Sequence, residues 1–140
     1  MRAVLDVNVL VSALLSRDGA PARLLLAWRR GTFDLIVSQL LVEELRRALT
    51  DPKLARLVPA ADAQAFVAWL VREATTIPDP GGPPPVRSTD PGDDYLIGLA
   101  MSANAMLISG DGHLLALAGD LPIHAPAAFL DLLGRGIGER

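Results

Sequence analysis

The chain contains no cysteine. That excludes a disulfide framework and any thiolate metal site, and it fits a reducing compartment. No uninterrupted apolar run approaches the ~20 residues that a membrane-spanning helix needs. The apolar start, Met1 to Val11, is broken by Asp6 and Asn8 and is followed by no cleavage pattern, which argues against a signal peptide. A soluble, cytoplasmic protein is expected. An excess of positive charge is also missing: the net charge is −3 and the sequence pI about 5.2, which argues against a generic nucleic-acid coat. Lysine is nearly absent, with Lys53 alone beside twelve arginines. Arginine grips phosphate bidentately, so a locally basic rim is compatible with the acidic total. A GC-rich coding sequence explains the same bias.

What is present is apolar and regularly punctuated. The hydrophobic fraction is 51% over 140 residues, which suits one self-standing domain and excludes general disorder. Residues 2–5 and 33–37 read as buried strands, as do 106–108 and 121–124, with a shorter one at 75–77. Between them the pattern predicts helices over 8–15, 22–30, 39–49 with Ser38 as N-cap, 61–73, 93–103, 112–116 and 127–133. A short helix starts at Thr50-Asp51-Pro52. Ser16 to Pro21 reads as a turn, 79–89 as a Pro/Gly-rich loop, and 134–140 as a fraying tail after a single domain over 1–133. Strands alternating with helices imply an α/β fold with a mostly parallel sheet and helices on both faces. Phe66, Trp69 and Trp28 are spaced for the core.

Four carboxylates stand where such a fold brings residues together. Asp6 ends the run Ala3-Val4-Leu5, and Asp111 follows Ala105 to Ile108. Glu44 and Asp93 line or open helices. Residues just past the carboxyl ends of parallel strands converge on one crevice. Two carboxylates ~5 Å apart repel by about 3 kcal/mol at an effective dielectric of ~20, so a cluster persists only with protons or cations to neutralise it. Oxygen donors alone point to Mg²⁺ or Mn²⁺, and carboxylate-held ions of this kind suit phosphodiester hydrolysis. With the four acids set aside, the remainder of the chain carries +1.

The phrases that carry these acids occur in one order: Asp6-Val7-Asn8, Glu44-Leu45, Thr89-Asp90-Pro91-Gly92-Asp93-Asp94-Tyr95-Leu96 and Ser109-Gly110-Asp111-Gly112-His113. Together they resemble the PIN domain (PilT N-terminus), the nuclease fold of VapC-type toxins, from Ala3 to about Leu132. The resemblance implies a three-layer α/β/α sandwich with about five parallel strands and a Mg²⁺- or Mn²⁺-dependent ribonuclease. It places Asp6, Glu44, Asp93 and Asp111 on the acidic positions, and Asn8 and Ser109 on polar supporting ones. It also implies an RNA substrate, a cognate antitoxin, a homodimer, and products with a 5′-phosphate and a 3′-hydroxyl.

Each assignment has a plainer competitor. Asp6 doubles as a helix N-cap, and Glu43 competes with Glu44. Asp90 and Asp94 compete with Asp93: Asp90 as a cap or outer-shell ligand, Asp94 as a first-turn acid stabilised by the helix dipole. Asp111 also reads as a tight-turn residue. His113 and His124 lack partners at ligand spacing and read as surface or turn residues. Arg17, Arg23, Arg46, Arg47 and Arg87 are candidate phosphate contacts, though solvated helix faces explain most of them. An aspartyl-nucleophile phosphatase wants an acid two residues after Asp6, where Asn8 stands. A receiver domain fails for want of a lysine on the last strand. The alternative is a catalytically degenerate PIN-fold module that binds RNA or protein.

Overall fold

Ala3, Val4 and Leu5 are apolar on both sides of the chain, the pattern of a strand covered on both faces, and they form the middle of the sheet. The computed structural model describes residues 1–138 apart from Pro83, Pro85 and Thr89, and only the backbone of 136–138. It contains five strands: β1 (Arg2–Leu5), β2 (Asp34–Val37), β3 (Thr75–Thr76), β4 (Met106–Ile108) and β5 (Ile123–His124). They pair in the order β3-β2-β1-β4-β5, and every pairing is parallel. The expected α/β class and strand count are borne out.

Eight helices among the described residues connect and cover the strands: α1 (Val7–Leu15), α2 (Ala20–Arg29), α3 (Gln39–Leu49), α4 (Pro52–Ala55), α5 (Ala60–Glu73), α6 (Asp94–Ser102), α7 (Gly112–Leu115) and α8 (Pro126–Gly138). A 3₁₀ turn over Pro91–Asp93 leads into α6. α3 shows how the sequence fixes an element. Ser38 accepts a hydrogen bond from the Leu41 amide at its start, and Arg46 and Arg47 sit in the last turn, where cations suit the dipole. Leu41, Val42, Leu45 and Leu49 form its buried stripe.

The core gathers Leu5, Leu10, Leu24, Leu35, Ile36, Leu41, Leu45, Leu70, Leu96, Leu99 and Phe129, all nearly inaccessible. Phe33 meets Phe129 edge-on at 5.3 Å between ring centroids. Trp28 on α2 and Trp69 on α5 touch at 4.9 Å, and Phe66 lies 6.0 Å from Trp69. The aromatic residues are thus packing residues, as expected.

Several boundaries differ from the sequence reading. α2 starts at Ala20, with Pro21 inside its first turn, where a proline costs no hydrogen bond. Asp93 closes the 3₁₀ turn and caps α6 rather than beginning it. β5 keeps only Ile123–His124. α8 continues to Gly138, past the expected end at Leu133. Glu139 and Arg140, like Pro83, Pro85 and Thr89 of the expected loop, lie outside the described residues. The rest of that loop is packed at its start: a Cβ on Gly98 of α6 would stand 3.1 Å from Pro80 Cγ, so a larger residue there would push the loop outward by a few tenths of an ångström.

Candidate functional site

The chain leaves β1 in one direction to β2 and returns on its other side at β4. This reversal opens a crevice beyond the carboxyl ends of β1 and β4, where ligands bind in open parallel sheets. The register fixes what faces it. Leu5 pairs with Ile108, and the Asp6 amide still donates to the Ile108 carbonyl at 2.9 Å. The next residues outward are therefore Asp6 and Ser109, and the Ser109 hydroxyl donates to Asp6 Oδ2 at 2.8 Å.

Asp6 is 6% exposed. It occupies the N-cap position of α1 but makes no side-chain cap hydrogen bond, so its carboxylate is not spent on capping. Burial pushes its pKa up, the Ser109 hydroxyl and the amides of Val7 and Asn8 pull it down, and Asp111 pushes it up again. Ser109, fully buried, also accepts a hydrogen bond from the Asp111 amide at 2.9 Å. One serine thus ties the two strand-end acids together.

Asp93 arrives from the other side, on the turn that enters α6. Its carboxyl is raised to about 6, by burial first, then by Asp111, Asp90 and Asp6, with His113 opposing. Its Oδ2 is buried without any hydrogen-bond partner. Buried carboxylate oxygens are normally satisfied, so this one is a vacancy for a proton or a cation. Its neighbours are otherwise engaged. Asp94 accepts from the Ser88 amide at 3.0 Å, and Asp90 accepts from the Gly92 amide at 3.0 Å as cap of the 3₁₀ turn. Of the three, Asp93 is the one with a buried, unpartnered oxygen. Asp111 keeps its turn role as well, accepting from the His113 amide at 2.7 Å.

Glu44 reaches the crevice from α3. Its Oε2 accepts a hydrogen bond from the Tyr95 hydroxyl at 3.2 Å. Glu43, one residue earlier, accepts from Gln39 Nε2 on the exposed helix surface, which separates the two glutamates. Asn8 is exposed, and its amide rather than its side chain acts on Asp6. Tyr95 and Asp79 were missed by the sequence reading. Tyr95 is pushed up by burial and then by Glu44, with Asp6 and Asp79 adding to it. Asp79 follows β3 as Asp6 follows β1, the signal that would have found it. Its Oδ2 accepts from the Leu40 amide at 3.0 Å, and its Oδ1 is buried and unpartnered.

Among the described residues, no three acidic or imidazole side chains are drawn close enough to hold a metal ion as they stand. The donor set nevertheless fits a hard divalent cation: oxygen ligands only, mutually repelling acids, and an orphaned oxygen on Asp93. A cavity of about 620 Å³ lies elsewhere, between α3, α4 and α5 near Leu49, Val58 and Val67.

A sequence profile described as PIN domain matches residues 2–113. No curated protein matches the chain. Among solved structures, PAE2754 from Pyrobaculum aerophilum is similar over 96% of this chain and 90% of its own, with a TM-score of 0.63 at 19% identity. VapBC2 from Rickettsia felis, solved bound to a DNA fragment from its promoter, is similar over 88% of this chain and 97% of the matched chain, with a TM-score of 0.60 at 13% identity. At such identities the likeness is one of fold.

Proposed function

The chain belongs to the PIN-domain family, and we propose that it is a Mg²⁺- or Mn²⁺-dependent endoribonuclease, the toxin of a toxin–antitoxin pair. The observation that carries this reading is the unpartnered Asp93 Oδ2 beside Asp6, Asp90 and Asp111 at the reversal point of the sheet. A structural polar cluster would be internally satisfied. This one is completed by a proton or by an added cation.

Asp6, Asp93 and Asp111 would hold the ion, and Glu44 would complete the set. Bound there, a divalent ion supplies an activated water for in-line attack at phosphorus and offsets the charge on the leaving oxygen. The protein's own part is positioning. Ser109 fixes the Asp6 carboxylate through Oδ2 and holds the Asp111 backbone, the arrangement by which outer groups orient ligands. Asp90 shapes the turn that presents Asp93. Arg46, Arg47 and Arg87 are the candidate contacts for the RNA backbone. Hydrolysis by water leaves a 5′-phosphate and a 3′-hydroxyl.

A cognate antitoxin as partner accords with the fold shared with VapBC2, solved bound to a DNA fragment from its promoter, and a homodimer is proposed as the assembly. No helix among the described residues is long and apolar enough to cross a membrane, which accords with an RNA target in the cytoplasm. A second reading, a degenerate module that binds RNA or protein without cutting, is favoured by the spacing of the acids, which stand apart rather than gathered.

Cleavage of a labelled RNA pool in Mn²⁺, Mg²⁺ or EDTA, with Asp6→Asn in parallel, decides between them. Cutting that needs the metal and is lost in Asp6→Asn is expected. No cutting in any metal, with no metal binding by calorimetry, establishes the degenerate module instead.

A further inference from the structure

Tyr95 joins the two banks of the crevice through a hydrogen bond from α6 to α3. It stands on the first turn of α6, which packs on β1 and β4. Glu44 stands on α3, which packs on α1 and α5. Their hydrogen bond, 3.2 Å between Oη and Oε2, spans 51 residues of sequence. The phenol also lies within the field of Asp6 and of Asp79, so three acids from separate parts of the chain surround it. An ionised phenolate would repel all of them. The hydroxyl donates to the carboxylate it faces, Glu44 Oε2.

Glu44 is the acid least constrained by its backbone. Asp6 and Asp111 follow strand ends directly, and Asp93 is set by a capped turn. Glu44 has a longer side chain with three rotatable bonds, on a helix surface, and no neighbour on α3 holds it. Its Oε1 has no hydrogen-bond partner among the described residues, and its only anchor is the Tyr95 hydroxyl. Ordering such a side chain costs up to about 2 kcal/mol in rotamer freedom, which a single charge-assisted hydrogen bond can offset.

We propose that Tyr95 is a positioning residue: its hydroxyl fixes Glu44 Oε2 so that Oε1 is presented to the cation held by the acid cluster. The inference rests on the cation reading given above. It goes beyond that reading in assigning the placement of the fourth acid to a neutral side chain on the opposite bank.

The test is Mn²⁺ titration calorimetry on four proteins: the unaltered chain, Tyr95→Phe, Glu44→Gln and the double variant, each also melted without metal. Phenylalanine preserves the ring packing, so the melting temperature of Tyr95→Phe should stay near that of the unaltered chain. Its Mn²⁺ affinity should fall about tenfold, the loss usual for outer groups that orient a ligand. The double variant should bind no more weakly than Glu44→Gln alone, because the hydroxyl acts only through Glu44. Unchanged Mn²⁺ affinity in Tyr95→Phe overturns the positioning role and leaves the cation reading standing. Additive losses in the double variant also overturn it, by showing that the hydroxyl acts without Glu44. An unaltered chain that binds no Mn²⁺ sinks the cation reading and the positioning role together.

Discussion

The two ends of this sheet are built by opposite rules. At the amino end, α2 and α5 close on the strands they lead into, and Trp28 and Trp69 meet there with their rings 4.9 Å apart. Nothing titratable is buried in that contact, and stability is what it provides. At the carboxyl end, Asp6 is almost fully buried beside Asp111, and Asp93 carries an oxygen with no partner. Such an arrangement lowers stability in the free protein. One end holds the fold together, and the other carries a cost in stability that the first offsets. Residues at the first should therefore affect melting and not cutting, and residues at the second the reverse.

The largest separation is expected from Asp6→Asn. Cleavage should fall well beyond the roughly 100-fold typical of outer groups, while melting in metal-free buffer at pH 7 drops no lower than in the unaltered chain, because a buried charge has been removed. Gel assays and calorimetry of one preparation check both. Trp69→Ala should do the opposite. A loss of about 2 kcal/mol in urea unfolding is expected for a half-buried tryptophan, with cleavage unchanged below the new midpoint. Should Trp69→Ala cut poorly while folded, the two ends are coupled and the comparison breaks. Ser109→Ala removes the donor to Asp6 Oδ2 and should weaken Mn²⁺ binding about tenfold, equal to about 1.4 kcal/mol.

The smallest effect is one of pH. Asp93 titrates at about 6 in the folded protein, above its ordinary 3.8, so the folded state binds this proton more tightly than the unfolded chain. Its stabilising share is fully present below about pH 4 and is lost as pH rises through 6. Metal-free melting temperature should decline over that window more steeply in the unaltered chain than in Asp93→Asn, and saturating Mn²⁺ should remove the difference. Parallel slopes for the two proteins would show that Asp93 is not the group responsible.

Local signals in the sequence carried far. The unbroken run Ala3-Val4-Leu5 marked the central strand, and Ser38 marked the start of α3, because a buried parallel strand and a capped helix are each determined by a few adjacent residues. The strand-end rule led to Asp6 and Asp111 for the same reason. What was not legible is pairing at a distance. Tyr95 finds Glu44 across 51 residues and Asp79 finds the Leu40 amide across 39, and no periodicity encodes either. Pro21 was read as a breaker because proline ends helices more often than it begins them, yet the first turn of α2 accepts it. α8 runs past Leu133 although its glycines argue for fraying.

The hydrogen bond between Ser109 and Asp6 joins residues 103 apart in the chain. The two halves of the crevice therefore cannot meet until β4 and Ser109 have been made, long after Asp6. Strand β1 emerges early and must wait for β4, which pairs beside it only after α6 has been made. A nascent chain cut short anywhere before residue 109 has Asp6 but lacks the strand and the serine that set it. A fragment of that kind therefore lacks the assembled crevice.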